Sequence, residues 1–173
     1  MNIFKFVLEL IGGGKMKEEI RYSVEDIANY FLSKAKMTPK KLQKVLYFAY
    51  AWYLAIMNES KDELRIKLFD ENFEAWIHGP VCPKIYQKYK YKGADLIEKY
   101  NGEMPNITEE DKEILEQVWE VYGKYSANEL ESISHQHDPW RITRDKNNCS
   151  ASDWCNEIIN DELMFEYYGS KIS

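Results

Sequence analysis

The chain has 173 residues, of which 45% are hydrophobic, 30% charged and 14% aromatic. This is enough to bury the core of one domain of about 100 to 200 residues, and the aromatic content argues against a disordered chain. A net charge of −6 argues against general nucleic-acid binding, which depends on a basic surface. The three cysteines, Cys82, Cys149 and Cys155, lack CxxC spacing, so we expect neither a disulfide framework nor a zinc knuckle, and we expect a reducing cytoplasm.

Residues 1–20 are expected to form an N-terminal extension outside the folded domain, which is predicted to span residues 21–169. The apolar stretch MNIFKFVLEL is too short to cross a membrane and lacks the features of a signal peptide. The stretch IGGGK before Met16 resembles a translated ribosome-binding site, so we expect natural synthesis to begin at Met16. The alternative is a short amphipathic helix followed by a glycine linker.

Two capping patterns predict the first two helices. Ser23 begins a capping-box pattern, which predicts a helix from Val24 to about Ala35. Thr38 followed by Pro39 begins a second helix, whose apolar stripe of about four turns marks it as the central helix of the core. Three lysines near its start are expected to be solvated or to face a partner: Lys40, Lys41 and Lys44.

Two short runs after the second helix predict a small β-hairpin. Residues 66–69 and 73–77 are joined by the turn-forming residues 70–72, and the second run alternates apolar and polar side chains. His-Gly-Pro at residues 78–80 is expected to follow the hairpin, and Pro83 to begin a helix that ends at Gly93.

The C-terminal half is predicted to contain three more helices. Thr108 caps a long helix that reaches Tyr122, and Ser126 begins a capping box for a short helix to about Ser134. Residues 137–140, HDPW, are expected to form a turn, and residues 153–168 a final helix. The predicted fold is mainly α: a single compact helical domain with a small β-hairpin inserted after the second helix.

Side chains capable of catalysis or metal binding are present but match no known pattern. His135, His137, Cys149 and Cys155 do not have the spacing of a compact zinc site, and we favour a hydrogen-bonding role for His135. Cys82 with His78 would be a candidate nucleophile and base, but two prolines bracket the pair and no oxyanion element is evident. We therefore expect no enzyme activity, no metal and no cofactor.

The run KIYQKYKYK, residues 84–92, interleaves four lysines with three tyrosines. This composition is typical of platforms for single-stranded nucleic acid. We favour the alternative that Tyr86 and Tyr89 pack inward and the lysines are solvated. Together with lysines of the first two helices, the run could form a basic patch that attracts an acidic partner: Lys34, Lys36, Lys40, Lys41 and Lys44.

Three segments resemble one known family: MTPKKLQKVLYFAYAWYLA at 37–55, FEAWIHGPVCPKIYQKYK at 73–90 and LESISHQHDPW at 130–140. The combination of LQKVLYF, AWxxGPV and HxxxPW resembles the Panacea antitoxin domain, the SocA-like family often labelled phage-associated protein, over about residues 22–168. The resemblance implies a compact helical domain that neutralises a small toxin by protein contact.

The family resemblance also implies roles for individual positions. Those expected to form the scaffold are Leu42, Leu46, Tyr50, Gly79, Pro80, Val81, Pro83 and Pro139. Those expected to bind the partner are Gln43, Lys44, Tyr47, Trp76, His135 and Trp140; all except His135 are expected to be exposed. His78 departs from the family, which commonly has an aromatic residue there.

The functional prediction from the resemblance is a cytoplasmic antitoxin that binds a toxin encoded by a neighbouring gene and has no catalysis of its own. One alternative is a proteolytic adaptor that delivers the toxin to a ClpXP-type protease. Another is a phage-encoded nucleic-acid-binding regulator or counter-defence protein.

Overall fold

The structure, a computed structural model, describes residues 18–172. These residues form seven α-helices and two two-stranded sheets, which confirms the predicted mainly α fold with a hairpin after the second helix. The elements are β1 (Glu19–Ile20), α1 (Val24–Lys34), α2 (Pro39–Met57), β2 (Ile66–Lys67), β3 (Glu74–Trp76), β4 (Gly79–Val81), α3 (Pro83–Tyr89), α4 (Glu109–Tyr122), α5 (Ala127–Gln136), α6 (Asp138–Lys146) and α7 (Asp161–Gly169).

Helix α2 passes through the centre of the fold, as its apolar stripe predicts. Helices α1, α4, α5 and α7 pack around it, together with strands β2 and β4. Aromatic rings fill the interfaces: Phe48 of α2 stacks on Tyr122 of α4 with ring centres 4.0 Å apart, and Tyr50 stacks on Phe69 at 4.9 Å. A central helix covered on so many sides buries polar as well as apolar positions.

The predicted caps are confirmed at four helix starts. Ser23 and Ser126 each form a complete capping box, in which the cap side chain and the side chain three residues later bind each other's backbone amides. Thr38 and Thr108 each accept a hydrogen bond from the third following amide. The local sequence therefore fixes where these helices begin.

The hairpin lies further along the chain than predicted. β3 pairs antiparallel with β4, with Trp76 opposite Gly79, so His-Gly-Pro belongs to the hairpin rather than following it. Gly79 has φ +94°, which permits the chain to reverse there. The run at residues 66–69 pairs elsewhere, because Ile66–Lys67 forms a parallel ladder with Glu19–Ile20.

Two predictions for the C-terminal half are wrong. HDPW does not form a turn: Asp138 and Pro139 begin helix α6, where the fixed φ of proline suits the first helical turn. Residues 153–160 are not helical, because part of this segment extends along β3. The amide of Ala75 donates to the carbonyl oxygen of Glu157, and the amide of Ile159 donates to that of Phe73.

The predicted N-terminal extension is only partly covered. Residues 1–17, with the expected start at Met16, lie outside the described residues. Strand β1 falls within the predicted extension and pairs with β2. In residues 18–172, no helix has the length and apolar character needed to cross a membrane.

Candidate partner-binding site

Two polar side chains of α2 bind the backbone of the hairpin. The Gln43 side chain donates to the carbonyl oxygen of Cys82 at 3.0 Å and accepts from its amide at 2.8 Å, the pairing that a neighbouring strand would supply. The Nζ atom of Lys44 donates to the carbonyl oxygen of Pro80 at 2.9 Å. Because Lys44 is fully buried, the pKa of its amine is lowered to about 7, although nearby Glu131 opposes the shift.

Gly79 lies where these contacts converge. A Cβ atom at this position would be 2.7 Å from the Oγ atom of Ser134 and 2.9 Å from the Cε atom of Lys44. Its positive φ is also a conformation that other residues rarely adopt. The glycine therefore allows α2 and α5 to approach the hairpin closely.

Helix α6 binds the other strand of the hairpin. The indole Nε1 of Trp140 donates to the carbonyl oxygen of Trp76 at 2.9 Å, and Arg144 donates to that of Ala75 at 2.7 Å. The Trp140 ring stacks on His135 with ring centres 3.9 Å apart. Burial lowers the pKa of His135, which favours the neutral ring in this stack. Side chains from two helices thus fix the hairpin backbone on both strands.

The loop that follows α6 is held by Arg144 and by a disulfide bond. Arg144 also donates to the carbonyl oxygens of Ser150 and Asp153, the latter at 2.9 Å. Cys149 and Cys155 form a disulfide, so the expectation that the cysteines form none is wrong. The loop curls around the guanidinium group and brings the two residues' Cα atoms within 5.9 Å. The cysteine content therefore gives no support to the expected reducing location.

Three aromatic side chains next to the fixed hairpin form a cluster that we call the aromatic surface: Trp76, Tyr86 and Trp154. The centre of the Trp76 ring lies 4.7 Å from that of Tyr86 and 4.5 Å from that of Trp154. Trp154 is 65% exposed and Tyr86 38%, and Trp76 is half-buried between them. Glu74 accepts a hydrogen bond from the Trp76 indole at 2.7 Å, which fixes the central ring.

The structure corrects the expected exposure of three partner-binding candidates. Gln43, Lys44 and Tyr47 are buried, because α2 is covered along this stretch. Tyr47 is fully inaccessible, and within residues 18–172 its hydroxyl meets the side chain of Tyr168 without forming a well-oriented hydrogen bond. Trp140 is half-buried. Among the predicted partner-binding residues, Trp76 is the one that joins the exposed aromatic cluster.

Sequence analysis missed three contributors to this site. It treated Tyr86 as an inward-packing residue, whereas Tyr89 and Ile85 are the buried members of that run. It placed Trp154 in a predicted helix and gave Arg144 no role. Their role depends on contacts with the distant hairpin.

The expected basic patch is not a continuous free surface. Lys44 is buried, Lys41 donates to the carbonyl oxygen of Gly123, and Lys84 lies within ion-pair distance of Glu25 and Glu71. Three further lysines are paired with acidic residues: Lys34 with Glu116, Lys36 with Glu98 and Lys40 with Glu131. Acidic neighbours thus neutralise much of the proposed patch.

The candidate catalytic and metal-binding side chains lie in surroundings that do not suit those roles. His78 is exposed and lies 3.0 Å from Glu131, while Cys82 is buried and its thiol pKa is raised by burial, which disfavours a reactive thiolate. His137 shares a hydrogen bond of 2.9 Å with the hydroxyl of Tyr168. Within residues 18–172, no cluster of three or more acidic, histidine or cysteine side chains has a metal-binding arrangement.

Two sequence comparisons find known relatives of this chain. The chain is 28% identical over 160 residues to Antitoxin SocA of Caulobacter vibrioides (strain NA1000 / CB15N), with 81% of each chain covered. No solved structure matches it significantly. The profile of the Antitoxin SocA-like, Panacea domain family matches residues 42–141, which is more than half of the chain and includes most of α2, the hairpin and the start of α6. The chain therefore belongs to the SocA-like antitoxin family with a Panacea domain, a membership that supports an antitoxin role.

Proposed function

We propose that this protein neutralises a cognate toxin, encoded by a neighbouring gene, by binding it directly through the aromatic surface. The observation that carries the proposal is an exposed aromatic cluster in which Trp76, on a hairpin whose backbone is fixed from two sides, contacts Tyr86 of α3 and Trp154 of the loop after α6. The antitoxin family supplies the class of partner.

The physical reason for choosing this surface is its combination of ring area and rigidity. Tryptophan and tyrosine contribute a large share of binding energy at protein interfaces, where single residues are worth about 2 kcal/mol or more. A surface that is already ordered loses little conformational entropy on binding. The contacts of Gln43, Lys44, Trp140 and Arg144 provide that order.

This assignment divides the predicted partner-binding residues into two groups. We propose that Trp76 contacts the toxin itself. Gln43, Lys44, His135 and Trp140 act through the hairpin that they hold, and Tyr47 acts through the core. Substitutions in the second group should reduce toxin binding only to the extent that they disturb the hairpin.

The first experiment expresses the adjacent reading frame from a tight promoter, with and without this protein, and scores growth over several dilutions. We expect the neighbour to be toxic and this protein to restore growth. Trp154→Ala and Tyr86→Ala should lose the rescue and the co-purification of the toxin. Tyr91→Ala is the matched control, because Tyr91 is 74% exposed and is not in the cluster. Equal rescue by all three variants would exclude the aromatic surface as the toxin site.

The same cells distinguish occlusion from delivery to a protease. Neutralisation by binding alone should persist in cells that lack the ClpXP protease, with a stable complex and unchanged toxin half-life. If rescue requires the protease and the toxin disappears only when the protease is active, the adaptor alternative replaces our proposal.

A further inference from the structure

An apolar groove lies between α2, α4 and the C-terminal end of the described chain. Its volume is about 310 Å³. Three of its apolar side chains are substantially exposed: Ile56 is 44%, Val121 50% and Ile172 50% accessible. Trp52, Ile114 and Val118 complete the apolar lining. Large aliphatic side chains that share one exposed groove are typical of a binding surface rather than of scattered surface residues.

The wall that α4 contributes has the spacing of a helix-binding face. Ile114, Val118 and Val121 follow one another at i, i+4 and i+7, so they form one stripe about two turns long. Such a stripe normally packs against another helix. Ile114 and Val118 are buried against the core, at 7% and 4% exposure, whereas Val121 at the outer edge of the stripe is 50% exposed and open to solvent.

Acidic side chains border the stripe on its exposed side. Helical spacing places Glu110, Glu113 and Glu120 next to the groove, because Glu110 precedes Ile114 by four residues and Glu113 and Glu120 flank the groove residue Gln117. All three are exposed. Within residues 18–172, the ion pairs of α4 are made by two other acids, Glu109 and Glu116.

Within residues 18–172, the two lysines near the ends of the groove form no ion pair with Glu110, Glu113 or Glu120 and lie instead beside tyrosine rings. The amine of Lys124 lies 5.3 Å from the centre of the Tyr125 ring, and that of Lys171 lies 5.1 Å from the centre of the Tyr167 ring. The groove is therefore apolar at its base and acidic along one edge.

We propose that this groove binds an amphipathic helix of a partner protein, with three apolar side chains over about two turns and lysines or arginines facing Glu110, Glu113 and Glu120. Apolar burial supplies most of the affinity, and the acidic border selects a basic helix and sets its orientation. An acidic helix of the same apolar pattern is rejected by like-charge repulsion.

This site goes beyond the proposed toxin-binding surface, from which it is separate. Gln43 and Lys44, which hold the hairpin, lie on the N-terminal part of α2, whereas Trp52 and Ile56 line the groove from its C-terminal part. At 1.5 Å per residue these two parts are about 12 to 20 Å apart along the helix axis. The groove and the aromatic surface are therefore built from different residues and can be disrupted separately.

The test uses a fluorescein-labelled 18-residue peptide with leucines at helical spacing on one face and lysines on the other. Its binding to the purified full-length protein is measured by fluorescence anisotropy. We expect binding that weakens about 10-fold or more in Ile56→Ser and Val121→Ser, and several-fold in a Glu110→Gln, Glu113→Gln, Glu120→Gln triple variant. Leu96→Ser is the matched control, because Leu96 is 50% exposed and lies outside the groove. Circular dichroism and thermal melting confirm that each variant is folded.

Several outcomes would overturn the proposal. One is equal binding of all variants, and another is equal binding of a peptide with glutamates in place of the lysines. If a peptide of residues 1–15 displaces the probe, the occupant is this chain's own N-terminal segment. If Val121→Ser converts a dimer to a monomer in sedimentation, the occupant is a second copy. Trp154→Ala must retain peptide binding, so failure of the aromatic surface and failure of the groove are distinguishable.

Discussion

The Nζ atom of Lys44 donates to the carbonyl oxygen of Pro80 at 2.9 Å and would lie only 3.0 Å from a Cβ atom on Gly79. A buried amine thus fills the space that the missing side chain leaves. The two family positions depend on each other, because a larger residue at 79 would displace the amine from its acceptor.

Gly79→Ala should be strongly destabilising. The new Cβ atom would contact Ser134 and Lys44 at less than 3.0 Å, and φ +94° adds backbone strain, so we expect a loss of about 2 to 4 kcal/mol in the free energy of unfolding. Urea denaturation measures this. Gly93→Ala is the control: its φ of +56° is also positive, but no atom lies within 4 Å of the new Cβ, so about 1 kcal/mol is expected. Equal effects would show that steric contact at residue 79 is unimportant.

The buried amine of Lys44 should make stability depend on pH. Its pKa is about 7 in the folded protein and about 10.4 when unfolded, so between these values the unfolded state binds more protons. Stability should therefore rise with pH from 7 to 9.5, by at most about 1.4 kcal/mol per pH unit from this group. In Lys44→Met the rise should disappear. We would compare urea midpoints of both proteins at several pH values; parallel curves would contradict the lowered pKa.

Tyr47→Phe should leave stability unchanged or raise it by up to about 1 kcal/mol, because within residues 18–172 the buried hydroxyl contacts Tyr168 but forms no well-oriented hydrogen bond. Tyr50→Phe is the matched comparison on the same helix. Its hydroxyl donates to Asp161 at 3.0 Å, and its loss should cost about 1 to 2 kcal/mol. Thermal melting of the two variants measures this difference in stability. A large loss of stability in Tyr47→Phe would show that the hydroxyl forms a full hydrogen bond with Tyr168.

Reduction of the Cys149–Cys155 disulfide should lower stability by about 2 kcal/mol, the loss expected for a short closed loop. Arg144 still binds two carbonyl oxygens of that loop, so the aromatic surface should persist, with greater mobility of Trp154. Tryptophan fluorescence and melting with and without a phosphine reductant test this. A Cys149→Ser, Cys155→Ser variant should not respond to the reductant, which serves as the control.

Sequence analysis predicted the helix starts well because capping is local: Ser23, Thr38, Thr108 and Ser126 all begin helices as expected. It misplaced the hairpin because the pairing of residues 66–67 depends on a strand more than forty residues away. It also predicted Lys44 to be solvated or to face a partner, because a helical pattern cannot show that the carbonyl oxygen of Pro80 lies in the core next to it.

Some site residues could likewise be predicted from the sequence, and others could not. Family motifs identified Trp76, Gly79 and Trp140, which cluster around the hairpin as one unit. The exposed partners of Trp76 come from α3 and from the loop after α6, and only the three-dimensional fold brings them together.

Arg144 holds the hairpin by donating to the carbonyl oxygen of Ala75, 69 positions earlier in the chain. Trp154, which completes the aromatic surface, comes later still. During synthesis the aromatic surface therefore cannot form until residue 154 has left the ribosome. Under the proposed function, a toxin produced at the same time would meet incomplete chains that lack this surface, and earlier translation of this protein would remove the delay. The same proposal predicts that a premature stop before residue 144 yields a protein that does not neutralise the toxin.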